Sequence, residues 1–175
     1  MAAPALDWRA PLPDAPHFTL AELVHSDTAQ AYGLDNRPGP AALARLLRLA
    51  TEVLEPLRRR FGPLAVTSGF RSPELNWFVS LSRTSLHCCG QAADVRPLLR
   101  PMRAVDLAAY AYGRLPCHEV ILYEPPGGWL HLSQTAQSPS RPRLMLSTAG
   151  GLVPLSLAEL AQRFGPLLPG EEVAA

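Results

Sequence analysis

No lysine occurs anywhere in the 175 residues; all sixteen basic side chains are arginine. That absence removes Schiff-base catalysis and phosphate binding by a P-loop lysine. Net charge is missing too. Sixteen basic against fifteen acidic residues leave a formal +1, so no global field draws the chain toward nucleic acid or an anionic membrane. The one basic run, Arg58 to Arg60, shares a helical stretch with Glu52 and Glu55 and reads as a solvated helix face. Cysteine is scarce: Cys88, Cys89 and Cys117 are too few and too oddly numbered for a disulfide framework. No apolar window approaches the ~20 residues needed to span a bilayer. The opening stretch MAAPALDWRAPLPDAPHF lacks the basic start and unbroken apolar run of a signal peptide, because Asp7, Arg9 and several prolines interrupt it. The expectation is a soluble protein synthesised in the cytoplasm, with no nucleic-acid partner and no membrane insertion. Its oligomeric state is not specified.

What is present suffices for one domain. A chain of 175 residues, 47% hydrophobic and 18% charged, matches a single core burying roughly 70% of its unfolded surface. Residues 1–16, rich in Pro and Ala, read as an extended arm, 17–166 as the domain and 167–175 as a flexible tail. Thr19 and Glu22 form a capping-box pattern opening a short helix. Between Pro40 and Phe61, Leu43, Leu46, Leu47, Leu54 and Leu57 recur on one helix face. Pro56 should break or kink that helix. LAVTSGF reads as a strand, SPELNWFVS as a helix capped by Ser72, QAADVRP as a strand, and roughly 102–114 as a helix stopped by Pro116. EVILYE and WLHLSQ, separated by Pro-Pro-Gly-Gly, predict a hairpin with a four-residue loop. PRLMLST adds a strand and SLAELAQRF a terminal helix. The fold class is α+β, an antiparallel sheet with helices packed to one side.

The stretch TSLHCCGQAADV, residues 84–95, carries the chemistry. A catalytic zinc takes three protein ligands and leaves a fourth position for water. His87 and Asp94 are candidates, and His131 in WLHLS is a third. Asp94 lies inside a predicted strand, where a core-facing carboxylate costs several kcal/mol unless paired or on a metal. His131 alternates with Trp129 and Ser133, so the three share a strand face. Gly90 allows a sharp turn between His87 and the strand. Spacing alone leaves the set open between a metal site and ordinary hydrogen-bonded groups.

The run Ser85-x-His87-x-x-Gly90-x-Ala92-x-Asp94, preceded by VTSGFRSPELN and followed by GWLHLS, resembles the zinc D-alanyl-D-alanine carboxypeptidase family of peptidoglycan peptidases, phage-type members included. That family shares its fold with D-Ala-D-Ala dipeptidases and the hedgehog signalling domain. The likeness runs from about Phe18 to Ser133. It implies Zn2+ held by His87, Asp94 and His131, with the peptide stem of bacterial cell walls as substrate. Arg71 matches the family's site-facing arginine, whose planar fork suits a substrate carboxylate or the oxyanion of a tetrahedral intermediate; the alternative is a surface pair with Glu74.

One position departs from the pattern. Many relatives place an acid or histidine three residues before the last ligand as general base, and here that residue is Gly128. If Pro125 to Gly128 form the hairpin loop, Glu124 lies opposite Trp129 and shares its face, which makes Glu124 the candidate substitute base; the alternative is a solvated Glu at the loop edge. Glu119, at an odd offset from Glu124, then points the other way. Cys88 and Cys89 fill variable positions and read as buried, inert thiols; His17, His25 and His118 read as ordinary polar contacts. Two functions follow: a zinc peptidase cutting next to a D-amino acid in peptidoglycan, or a non-catalytic zinc module for wall recognition derived from one. Without a signal peptide, the first would reach the wall by phage-type or other non-classical release.

Overall fold

The computed structural model describes residues 7–80, 82–123, 128–139 and 141–168. Its centre is a six-stranded sheet in the order β3-β4-β6-β5-β7-β8, built from β3 (Leu64–Ser68), β4 (Ala92–Pro97), β5 (Glu119–Tyr123), β6 (Trp129–Ser133), β7 (Arg143–Thr148) and β8 (Gly151–Pro154). Side chains alternate between its faces. Ala93, Val95, Val120, Leu122, Leu130, Leu132, Leu144 and Leu146 are buried on one face against the helices. Each fully buried leucine there contributes about 1.5–3 kcal/mol. Asp94, His131, Ile121 and Met145 form a transverse row on the other face, because the register pairs Asp94 with His131, His131 with Ile121, and Ile121 with Met145.

The fold is α+β, with one departure from an all-antiparallel sheet. β7 pairs parallel to β5, since the chain leaving β6 crosses over β5 instead of turning back beside β6. β8, not anticipated in the sequence, then pairs antiparallel with β7 at the edge.

The helices precede and flank this sheet. α1 (Leu20–Leu23) begins at Thr19, whose Oγ1 accepts from the Glu22 amide at 3.1 Å. α2 (Asp27–Tyr32), capped by Ser26, was not legible because it buries only Ala29. α3 (Pro40–Leu49) continues through a π-helical turn, Ala50–Leu54, into α4 (Glu55–Phe61). The disturbance expected at Pro56 is therefore spread over the turn before it, where Glu55 N–H bonds to Ala50 O, five residues back. A proline without an N–H favours such a widened turn over a regular ladder. Leu46, Leu49, Leu54 and Leu57 are fully buried, and Leu43 and Leu47 pack against the same core. α5 (Pro73–Val79), capped by Ser72, leads toward the 3-10 turn Leu86–Cys89. α6 (Ala104–Arg114) lies on β5 and β6, and α7 (Leu157–Phe164) packs beside α6.

Both ends are more engaged than the sequence suggested. From Pro11 the arm forms β1 (Pro11–Leu12), which pairs with β2 (Ala15–Thr19), and Leu12 and Ala15 are buried. Prolines obscure this in the sequence, but a two-stranded edge tolerates them. Beyond residue 166, Leu167 packs on the core and the Leu168 amide donates to Asp106 Oδ1 at 3.1 Å. No helix among the described residues is long and apolar enough to cross a membrane.

Candidate metal centre

Three segments bring His87, Asp94 and His131 together. β4 and β6 place Asp94 directly opposite His131. The 3-10 turn supplies His87, and two glycines set its depth. Gly90 ends the turn at φ +69°, and a Cβ there would lie 2.1 Å from Ala42 O. A Cβ on Gly69 would lie 2.0 Å from Leu23 O. Backbone thus packs on backbone at both positions, and any larger residue would push the turn away from the sheet.

The ligand atoms of the three residues all lie within 4.8 Å of one another. His87 Nδ1–H donates to Gly69 O at 2.7 Å, the arrangement that fixes a ligating histidine's ring and leaves its other nitrogen free. That nitrogen, Nε2, faces Asp94 Oδ1 at 3.4 Å and His131 Nδ1 at 3.3 Å, while His131 Nδ1 and Asp94 Oδ1 are 2.9 Å apart. Lone pairs converge here, and either protons or a cation must lie between them. A tetrahedral ion with bonds of about 2.0–2.2 Å would separate its ligands by about 3.3–3.6 Å, the separation of His87 Nε2 from both partners, while His131 Nδ1 and Asp94 Oδ1 stand closer. The donor set fits a first-row divalent metal.

His87 and Asp94 are buried, and His131 is open on one side. Burial opposes ionisation of Asp94, but the two histidines beside it, His131 and His87, outweigh that and hold the carboxyl well below the usual carboxylate range. Arg71 fastens the second carboxylate oxygen. Its Nη2 donates to Asp94 Oδ2 at 2.7 Å and its Nε to Ser68 Oγ at 2.6 Å. A bulge at Thr67, where Ser68 rather than Thr67 pairs with Asp94, brings that hydroxyl beside the site. The sequence alternative of an Arg71 pair with Glu74 is not what the structure shows; Asp94 is the ion-pair partner.

The family model for peptidase M15 matches residues 16–132, from the second strand of the small N-terminal sheet to the strand that carries His131. The chain belongs to the peptidase M15 family. It therefore carries a metallopeptidase domain with a candidate His-Asp-His metal site. No curated protein sequence matches it.

The candidate metal site of this M15 family member opens into a cleft of about 940 Å³ along the polar face of the sheet, with Ser82 and Thr84 among the residues that line it. Here the expected hairpin register needs correction. Tyr123, not Glu124, pairs with Trp129. Residues 124–128 separate the strands, one more than the four-residue loop read from the sequence, and a one-residue change reverses the facing of the whole strand. Glu119, Ile121 and Tyr123 are consequently the residues that share the face of His131, and all three line the cleft. Glu124 lies outside the described residues. Gly128 has φ +41°, a left-handed backbone that favours glycine.

Sequence reasoning missed Ser68, Arg96, Glu119 and Tyr123 as cleft residues. Strand parity counted from His131 and Asp94 would have found Arg96; Glu119 and Tyr123 needed the correct loop length. Glu119 pairs with Arg143 at 2.9 Å. Cys88 and Cys89 are free and half-buried rather than buried, and burial pushes the Cys88 thiol up. His17 bonds Glu55 at 2.7 Å and His25 bonds Asp27 at 3.0 Å.

Proposed function

We propose that this protein is a zinc peptidase that hydrolyses a peptide bond next to a D-amino acid in the stem peptide of bacterial peptidoglycan. The convergence of His87 Nε2, Asp94 Oδ1 and His131 Nδ1 carries the reading, because an all-nitrogen-and-oxygen triad with one open side is the donor set of a catalytic zinc. Zinc bound there supplies a Lewis acid that acidifies water and polarises the scissile carbonyl. Arg71 orients Asp94 by donating to its Oδ2, which leaves Oδ1 turned toward the metal position. Arg71, with Nε and Nη2 engaged, presents the rest of its guanidinium to the cleft, where it stabilises charge developing on the carbonyl oxygen. Glu124 is our candidate for the general base that accepts the proton of the attacking water; because Tyr123 rather than Glu124 pairs with Trp129, the assignment rests on its place in the sequence, next to the cleft residue Tyr123 and between the two strands that line the cleft.

Gly128 favours a second reading, because it replaces the acid many relatives carry: a zinc-dependent wall-recognition module without turnover. Mass spectrometry of muropeptides incubated with the protein, with and without zinc, separates the two. New amino termini or released D-alanine that appear only with zinc support the peptidase. Binding of the same muropeptides without any cleavage product establishes the module.

A further inference from the structure

The two rows of side chains that flank the metal row on the sheet face differ in how their charges are matched. On one side Glu119 lies across from Arg143, and they form an ion pair at 2.9 Å. Within the metal row Arg71 is paired with Asp94. On the other side Arg96 follows Asp94 by two residues on β4, so it projects from the same face about 7 Å along the strand. Its neighbour across β3 is Ala65, which has no polar side-chain group. The next step of the β4–β6 ladder beyond Val95–Leu130 places Trp129 across from it, and the Trp129 ring is stacked on Tyr123 with centroids 3.7 Å apart. Arg96 is exposed, lines the cleft, and makes no side-chain hydrogen bond or ion pair among the described residues. Of the three cleft arginines, it alone has no carboxylate partner among the described residues.

We propose that Arg96 is a specificity residue that binds a carboxylate carried by the substrate residue flanking the scissile bond, with the Tyr123–Trp129 stack as the adjoining apolar wall. The distance supports that placement. A peptide spans roughly 3.3–3.6 Å per residue, so a group one row from the ligands reaches the residue next to the bond at the metal, allowing for the length of its own side chain. A guanidinium matches a carboxylate through two parallel hydrogen bonds, and a ligand carboxylate would neutralise the unmatched cation. This assignment deepens the peptidase reading and rests on it for the identity of the substrate, though not for the binding.

The test uses synthetic stem pentapeptides in matched pairs, with either the C-terminal or the isoglutamyl carboxylate present as free acid or as amide. The zinc-loaded wild type should favour the free acid at one of these positions by roughly 10- to 100-fold in kcat/KM, the range expected of a charge-assisted pair. In Arg96→Ala that preference should collapse toward unity, and Arg96→Lys should restore only part of it, because a point charge lacks the planar fork. A wild type indifferent to amidation at both positions, or an Arg96→Ala protein that keeps its preference, overturns the proposal. If no peptide is turned over, the peptidase reading fails separately. Calorimetric binding of the same pairs to zinc-free wild type and Arg96→Ala then decides the role of Arg96 by the same criterion.

Discussion

The two faces of the central sheet are made by the same strands and obey opposite rules. On the helix-covered face, Leu130 and Leu132 of β6 are fully buried and interact without direction; volume is what matters there. On the cleft face, Trp129, His131 and Ser133 alternate with them, and direction is what matters. Residues adjacent in sequence thus contribute to different quantities, and the sheet separates stability from chemistry at every second position. Asp94 shows the boundary. It is as buried as many core residues, yet it is tolerated only because His131, His87 and Arg71 surround its two oxygens.

The sharpest way to break the comparison is to substitute neighbours. His131→Ala should reduce bound zinc from one per chain to a trace and remove hydrolysis altogether, while the circular dichroism spectrum stays that of a folded protein. Leu132→Ala should do the reverse, keeping one zinc per chain at saturating metal while losing about 2–5 kcal/mol of unfolding free energy. Elemental analysis and denaturant titration of the two proteins measure both halves. Zinc retained in His131→Ala would mean that the cleft face is not what holds the metal.

Glu124→Gln tests the catalytic face without touching its ligands. A general base contributes typically 10²–10⁴ in rate, so kcat should fall by about that factor with zinc content and melting temperature unchanged. Unaltered kcat would return the proton-accepting role to another group on the cleft.

Arg71→Ala should have the smallest effect on rate of these and the widest range of effects. Loss of an oxyanion donor lowers kcat by about 10²–10³. Because Arg71 also holds Asp94 Oδ2, zinc affinity should weaken by about 10–100-fold, as for other groups that orient a ligand. A metal-competition titration beside the kinetics distinguishes the contributions. An unchanged zinc affinity would show that His131 and His87 alone fix the carboxylate.

The candidate metal triad was legible through the family resemblance, because His87 and Asp94 fall within one distinctive motif and His131 within a second, GWLHLS; spacing and strand parity alone left the set open. The sequence did not reveal the hairpin register, since Pro125 to Gly128 look like a complete loop and nothing local shows that β5 ends at Tyr123. That one-residue difference reversed β5 and hid Glu119 and Tyr123. The parallel pairing of β7 was invisible for a different reason: it depends on a crossing of β5 that no local pattern encodes. At the N-terminus, the prolines signalled an arm, while the burial of Leu12 and Ala15 depends on tertiary contacts with the domain.

The direct pairing of Asp94 with His131 across β4 and β6 also bears on how the chain reaches its structure. A sheet strand slipped by one residue exchanges its faces, and in such a form Asp94 would turn toward the helices while His131 stayed outside. The two could no longer hold one ion. Metal binding therefore favours one alignment of β4 on β6 over its nearest competitors, beyond the preference set by the leucines alone. An ion present during folding would act as a proofreader of strand alignment, its affinity adding to the free-energy gap that keeps slipped pairings unpopulated.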